Sequence, residues 1–302
     1  MRRVVESLKK YGPMLSGNLA VILEREYSIS NETARKAISR SRTPVQKLKV
    51  FPFNKNQVYV YLEEQFNTQR YRERLYEALK KEALAVAVIL YSLENNNYIM
   101  KKSMLPIYSK SPIENTKGHR NFDRVISDLI NQGVMFEVDD EYYAISPMYC
   151  GKEYNLTYSR SGEQILMIVA QDFVSWATKL NIMAYNSVRI FPDEATFAHF
   201  RWFATAPSYV TPLYDLVKMK PGFVVVDVIL KSKASIQDVS FFVEKIKIIR
   251  NFKGVPAFVP VLLVNGVNSE TLQYLKENKV VIGVLSNLFD KKYVETLILN
   301  YS

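Results

Sequence analysis

Three short runs in the second half of this chain, residues 223–230, 257–264 and 280–285, are apolar almost without interruption. A strand with one wet face alternates polar and apolar side chains. A run without alternation has to be covered on both faces, which places all three inside a sheet flanked by helices. The stretches between them, 236–251 and 269–278, carry helical spacing. From Ser161 onward an α/β domain with a central mixed sheet is therefore expected, with a helix over 162–180, a strand at 187–191 and a terminal helix from Asp290. One acid interrupts the first run, Asp227 within Val224-Val225-Val226-Asp227-Val228-Ile229. An unpaired carboxylate there would be costly, which argues against incidental placement.

The chain has 302 residues, 48% hydrophobic and 23% charged, which excludes wholesale disorder and collagen-like repeats. Its length suggests two domains, or three if some are small. Lys and Arg number 40 against 30 Asp and Glu, a net +10 that favours an anionic partner, nucleic acid before a membrane surface. The surplus is uneven. Residues 1–68 hold 12 basic and 6 acidic side chains, residues 69–150 hold 11 of each, and residues 151–302 hold 17 and 13. Such a distribution points to a local nucleic-acid surface, with a lysine-rich proteome as the plain alternative.

Cys150 is the single cysteine, and His119 and His199 are the two histidines, so neither an internal disulfide nor a Cys/His zinc site can be assembled. The longest charge-free apolar run, 83–93, falls short of the roughly 18–20 residues of a membrane span. Glu6, Lys9 and Lys10 interrupt any signal peptide. A cytoplasmic protein without a membrane partner is expected, or a nuclear one where the source has a nucleus.

Residues 4–11 predict a short helix closed by Gly12-Pro13, and Leu15, Leu19, Ile22 and Leu23 predict a second over 14–27. Ser30 suits the N-cap of a third helix. On that helix Ala34, Ala37, Ile38 and Ser41 share one side, while Arg35, Lys36, Ser39, Arg40 and Arg42 occupy the opposite arc. After Pro44, strands are expected at 46–53 and 57–62, joined at Asn54-Lys55-Asn56. This order resembles a winged helix-turn-helix module over residues 1–68. The resemblance implies that the third helix enters the major groove, with Arg35, Lys36, Ser39, Arg40 and Arg42 toward duplex DNA and Lys47, Lys49 and Lys55 on the wing. A winged helix that binds protein through the same modules is the alternative.

Residues 69–150 repeat that order without repeating the sequence. A long helix is expected over 70–93, a weaker helical stretch at 101–108, an amphipathic helix over 118–132, and a hairpin from 134–138 to 141–146 across Asp139-Asp140. This second segment also resembles a winged helix, but Glu137, Asp139, Asp140 and Glu141 stand at its tip, where phosphate is repelled. A structural or dimerising module is weighed against a second DNA reader using Arg120 and Arg124.

Residues 151–302 resemble the PD-(D/E)xK nuclease superfamily, the restriction-endonuclease-like fold. The resemblance covers about residues 160–300. It rests on the order helix, three strands, helix, strand, helix, strand, and on two acidic segments. Pro212-Leu213-Tyr214-Asp215-Leu216-Val217 matches the first acidic strand, and Asp227, with eleven residues between it and Asp215, matches the second. The resemblance implies that Asp215 and Asp227 hold Mg²⁺, which polarises a scissile phosphate and activates water. Glu163 matches an acid some members carry on the first helix.

The family's lysine, two positions after the second acid, is replaced by Ile229. Lys231 lies on the same strand face but about 7 Å further along. The implied reading is a DNA-binding protein with a nuclease-like domain that does not cleave, acting as a regulator or a mobile-element or defence factor. The alternatives are a Mg²⁺-dependent DNA endonuclease using Asp215, Asp227 and the displaced Lys231, and a non-catalytic assembly subunit, with a homodimer or protein complex as partner. No cofactor is expected unless the site is active.

Phe197 to Phe203 could stack on bases but reads more naturally as core. Lys245, Lys247, Arg250 and Lys253 form a basic helix end, solvated or facing phosphate. No phosphate loop and no nucleophile elbow is present.

Overall fold

The computed structural model describes residues 2–49, 51, 53–113 and 121–301. They divide into two compact units, 2–100 with 121–154 and 101–113 with 155–301.

The first unit opens with α1 (Arg2–Tyr11), β1 (Met14–Leu15), α2 (Ser16–Tyr27), α3 (Asn31–Arg40), β2 (Val45–Leu48) and β3 (Tyr59–Leu62), its sheet ordered β1-β3-β2. Ser28 ends α2 in the left-handed region at φ 50°, and the Ser30 hydroxyl starts α3 by accepting the Thr33 N–H at 3.3 Å. Val4, Leu8, Leu19, Leu23, Ala34, Ile38 and Val60 close into one buried cluster. Each leucine buried there contributes about 1.5–3 kcal/mol of transfer free energy.

The single helix expected over 70–93 is two helices, α4 (Gln69–Glu82) and α5 (Leu84–Glu94), broken at Ala83 with φ −145° and ψ 56°. Surface chemistry explains the break. α5 buries Val86, Ala87, Ile89, Leu90 and Leu93 around most of its girth, whereas α4 turns charged residues outward. One straight rod could not do both. The bend folds α5 back, and Tyr76 and Tyr91 then lie 6.4 Å apart.

Together with α5, the elements β4 (Ile99–Lys101), α6 (Leu105–Tyr108), α7 (Phe122–Asn131), β5 (Met135–Val138) and β6 (Tyr142–Ile145) repeat the order of the first six elements, and the sheet order β4-β6-β5 repeats too. The weak helical pattern at 101–108 resolves into the end of β4 and the short α6, which groups with the second unit. Asp139 and Asp140 both adopt positive φ, 48° and 52°, the pair of left-handed residues that a tight hairpin turn requires and that Asp tolerates. The short α8 (Pro147–Cys150) follows.

In the second unit α9 (Leu156–Lys179) starts before 162 because the Asn155 side chain caps it, accepting the Tyr158 N–H at 3.0 Å. There follow β7 (Arg189–Ile190), β8 (Thr196–Phe197), β9 (Phe200–Arg201), β10 (Ala204–Ser208), β11 (Gly222–Ile229), α10 (Ile236–Arg250), β12 (Phe258–Val264), α11 (Ser269–Glu277), β13 (Val281–Val284), α12 (Leu285–Leu288) and α13 (Lys291–Tyr301). Five strands form one mixed sheet, β13-β12-β11-β10-β7. β11, β12 and β13 run parallel, and β10 is antiparallel to both β11 and β7. β11 packs against α9 and α10, which accounts for its lack of alternation.

The segment 212–217, expected as a strand, is a series of turns between β10 and β11. Asp215 pairs with Lys220, and Met219 takes φ 51°, so the chain doubles back instead of extending.

Candidate nucleic-acid interface

α3 is amphipathic in a way that fixes what faces water. Ala34 and Ile38 are buried against the helices before it, and Ser41 anchors the exit by donating its hydroxyl to the Ile38 carbonyl at 2.6 Å. Arg35, Ser39 and Arg42 recur at four and three residues, and Lys36 and Arg40 stand beside them. All five are exposed, as are Lys49 and Lys55. Two of these cations are held by their own helix: Arg35 donates to Asn31 Oδ1 at 2.8 Å, and Lys36 meets Glu32 at 2.6 Å. Arg40 and Arg42 engage no acid among the described residues, leaving both guanidinium groups available to a ligand. With Glu32 as the single acid on α3, this is a solvated basic stripe on a rigid helix.

Lys47 has a different task. Its ammonium turns back on α3 and donates to the Ser39 carbonyl at 2.6 Å and the Ser41 carbonyl at 2.9 Å. It satisfies carbonyls left open where the helix ends and places positive charge at the negative end of the helix dipole. Burial, with the Lys49 charge second, holds its pKa below the ordinary lysine value. Lys47 is a cap on the helix and not a free wing cation.

The corresponding surface of the second half of the unit has the opposite character. α7 buries Val125, Ile126 and Leu129 and exposes Arg124 between Asp123 and Asp128. Its hairpin exposes Glu137, Asp139, Asp140 and Glu141. Arg120 lies outside the described residues.

The residues expected to form a metal site are not brought together. Asp215 sits in the exposed turn region, where its Oδ1 accepts the N–H groups of Val217 and Lys218, both at 3.0 Å. Those bonds, the Lys218 amide foremost, hold its pKa below the usual aspartate value. Gly222 pairs with Ser208, and Asp227 lies five residues further along β11, away from the turn. That is about 17 Å of strand, well beyond the roughly 5 Å that two ligands of one ion allow.

Asp227 is fully buried and already satisfied. Its Oδ2 accepts from the Lys245 ammonium at 2.5 Å and its Oδ1 from the Phe203 N–H at 3.0 Å. Lys245, also at 0% exposure, donates to the Arg201 carbonyl at 3.1 Å and lies 4.0 Å from the centroid of the Trp202 ring. Burial pushes Asp227 up to about 6 against the pull of Lys245, and it pushes Lys245 down. These residues do not fit a hydrated Mg²⁺: both carboxylate oxygens of Asp227 are occupied and neither is reachable from solvent.

The other expected participants serve the fold. Lys231 meets Asp238 at 2.7 Å, and Asp238 closes the capping box that starts α10 by accepting from the Ser235 N–H at 2.8 Å. Glu163, buried on α9, pairs with Lys101 at 2.7 Å. Phe197, Phe200, Trp202 and Phe203 are core, and the Trp202 indole donates to the Phe197 carbonyl at 3.2 Å. Among the described residues no group of three His, Cys, Asp or Glu side chains is placed to hold a metal ion. No helix among them is long and apolar enough to cross a membrane.

Sequence reading placed Lys245 on a basic helix end and missed its burial. The signal was present: Phe241, Lys245 and Ile249 stand four residues apart, so the lysine shares the apolar face of α10.

A scan of family models and a search of curated proteins match nothing to this chain. Among solved structures, protein VC1899 from Vibrio cholerae is similar over 78% of this chain, at 11% identity and a TM-score of 0.28. The chain spans 58% of that protein's length. A superposition this loose fixes neither fold nor function.

Proposed function

We propose that the chain binds duplex DNA through α3, presented by an N-terminal winged helix, and that its second unit is a restriction-endonuclease-like domain that does not cleave. The observation that carries this reading is the α3 stripe. Arg35, Lys36, Ser39, Arg40 and Arg42 are exposed on one arc, the opposite arc is locked into the core, and Lys47 caps the end. A helix so fixed offers side chains of the types that meet guanine edges and phosphates. The order helix, strand, helix, helix, hairpin, with the first strand joined to the last, supports the winged-helix reading.

The mixed sheet, with three strands after α9, then α10, β12, α11 and β13, supports the nuclease-like fold. The sealed Asp227–Lys245 pair and the distant Asp215 speak against the endonuclease alternative. In the second half of the first unit, the acidic front favours a structural or protein-facing role over DNA reading.

The test is fluorescence anisotropy of a labelled duplex titrated at several salt concentrations. Affinity should fall steeply with salt, and Arg35→Ala with Arg42→Ala should weaken binding and lower the slope of log K against log salt by about 2. Unchanged affinity and slope in that variant would sink the α3 assignment. Supercoiled plasmid incubated with Mg²⁺ or Mn²⁺ should be retarded in a gel but remain intact.

A further inference from the structure

Large apolar side chains scattered singly over a surface need no explanation, but a contiguous group does. Among the described residues, 16 large hydrophobic side chains are exposed, and five of them, Tyr209, Val210, Leu216, Val217 and Met219, fall in the connection between β10 and β11. The last three are the most prominent: Leu216 is 72% exposed, Val217 93% and Met219 71%. They stand on a built tip. The Asp215 N–H donates to the Lys220 carbonyl at 2.9 Å and the Lys220 N–H returns to the Asp215 carbonyl at 3.2 Å. The Asp215 carboxylate holds the Val217 and Lys218 amides from inside the turn. Met219 completes the reversal at φ 51°, and the Tyr214 hydroxyl reaches its sulfur at 3.5 Å.

The result is a narrow, internally tied projection with an apolar end. Exposed Lys218 and Lys220 flank that end, and Lys218 stands 3.6 Å from Asp215.

We propose that this tip is a DNA wedge. Leu216, Val217 and Met219 insert between base steps and the two lysines take the adjacent phosphates. The inference rests on the DNA-binding reading above and deepens it: the second unit contributes deformation, not chemistry. Apolar wedges of this kind unstack a step and kink the duplex, and cations beside them match the phosphates of the opened groove. Asp215 is then a positioning residue, which explains an acid otherwise out of place in a cationic projection. DNA fits better than a lipid surface because the chain carries a basic helix suited to the duplex and a net charge of +10.

The experiment uses the full chain and a mixed-sequence duplex of about 30 base pairs, end-labelled for energy transfer and carrying 2-aminopurine as a reporter of unstacking. Three proteins are compared: wild type, Arg35→Ala/Arg42→Ala, and Leu216→Ser/Val217→Ser/Met219→Ser, whose changed side chains are all solvent-exposed. Wild type should bend the duplex by roughly 20–90° and raise 2-aminopurine fluorescence. The serine variant should lose less than about tenfold in affinity while both deformation signals vanish. The arginine variant should lose affinity.

If wild type binds and the serine variant deforms the duplex equally well, the wedge is overturned while the DNA reading stands. If wild type binds no duplex, both fall. Co-sedimentation of wild type with vesicles containing phosphatidylserine, lost in the serine variant, together with a straight duplex, would assign the tip to a lipid surface and overturn the wedge.

Discussion

The Asp227–Lys245 pair makes a quantitative demand on the second unit. Lys245→Met removes the ammonium and leaves a carboxylate at 0% exposure with the Phe203 N–H as its remaining donor. Breaking a buried pair from one side costs about 3–5 kcal/mol, a large part of the roughly 5–15 kcal/mol that holds a domain together. Asp227→Asn keeps an acceptor for Phe203 and strands an ammonium that retains the Arg201 carbonyl and the Trp202 ring, so about 3 kcal/mol is expected. The double variant buries no charge and should cost only about 1–2 kcal/mol, less than either single change. The cycle then closes with a coupling of about 5 kcal/mol, above the usual range for neighbouring side chains.

Urea unfolding followed by tryptophan fluorescence reads this directly, since Trp202 lines the pair. pH adds a second reading. Burial raises Asp227 to about 6 in the fold, well above an unfolded aspartate at about 3.9. Stability from such a raised acid is full at low pH and is lost as pH rises through about 6. Wild type should therefore gain on the double variant as pH falls from 7 toward 4. Single variants costing under about 1 kcal/mol, or a double variant equal to their sum, would refute the reasoning and reopen Asp227 as a solvent-facing ligand.

Two further expectations concern the residues that hold helices. Lys47→Ala should lower stability by about 1 kcal/mol through the uncapped end of α3, with a lower Tm; the salt slope of DNA binding should not change, because Lys47 faces carbonyls and not phosphate. Asp238 is opposed by burial, but the bonds from Lys231 and Ser235 outweigh it and hold its pKa below the ordinary value. Its contribution is present above the unfolded aspartate pKa and lost as pH falls through the lower folded one. The stability gap between wild type and Asp238→Asn, measured by denaturation from pH 7 to pH 3, should stay level and then close at the acid end.

Periodicity carried much of this fold. The unalternating runs at 223–230 and 257–264 correspond to β11 and β12 in the middle of the sheet, where burial on both faces leaves no other pattern, whereas the run at 280–285 corresponds to the edge strand β13, whose Val281 is exposed despite the same composition. The hairpin across Asp139-Asp140 was legible because few residues tolerate two consecutive left-handed positions. What failed to show was direction in space. Leu213 to Val217 has the composition of a strand, yet a side-chain-to-backbone bond from Asp215 turns the chain before a ladder can form. Lys47 sits in a strand pattern, and nothing local reveals that its ammonium reaches back to Ser39. Likewise the break at Ala83 follows from where α5 must be buried, not from any residue that disfavours a helix there.

Shape and surface separate within the first unit. Both halves close their sheets alike, yet α3 turns Arg35, Arg40 and Arg42 outward while α7 flanks Arg124 with Asp123 and Asp128. Amphipathic packing constrains only the buried side of such a helix, so its outer side is free to carry either sign. In the second unit the constraint runs the other way. Asp227 finds no cation on its own strand, where Ile229 is buried two residues on, and its partner Lys245 comes from α10, beneath Trp202. A lysine delivered from that helix can neutralise Asp227 only by sealing it. With the Lys245 ammonium at its Oδ2 and the Phe203 N–H at its Oδ1, Asp227 is held by two donors inside the core, so the pair belongs to the packing of β11 against α10 and not to the surface of the sheet.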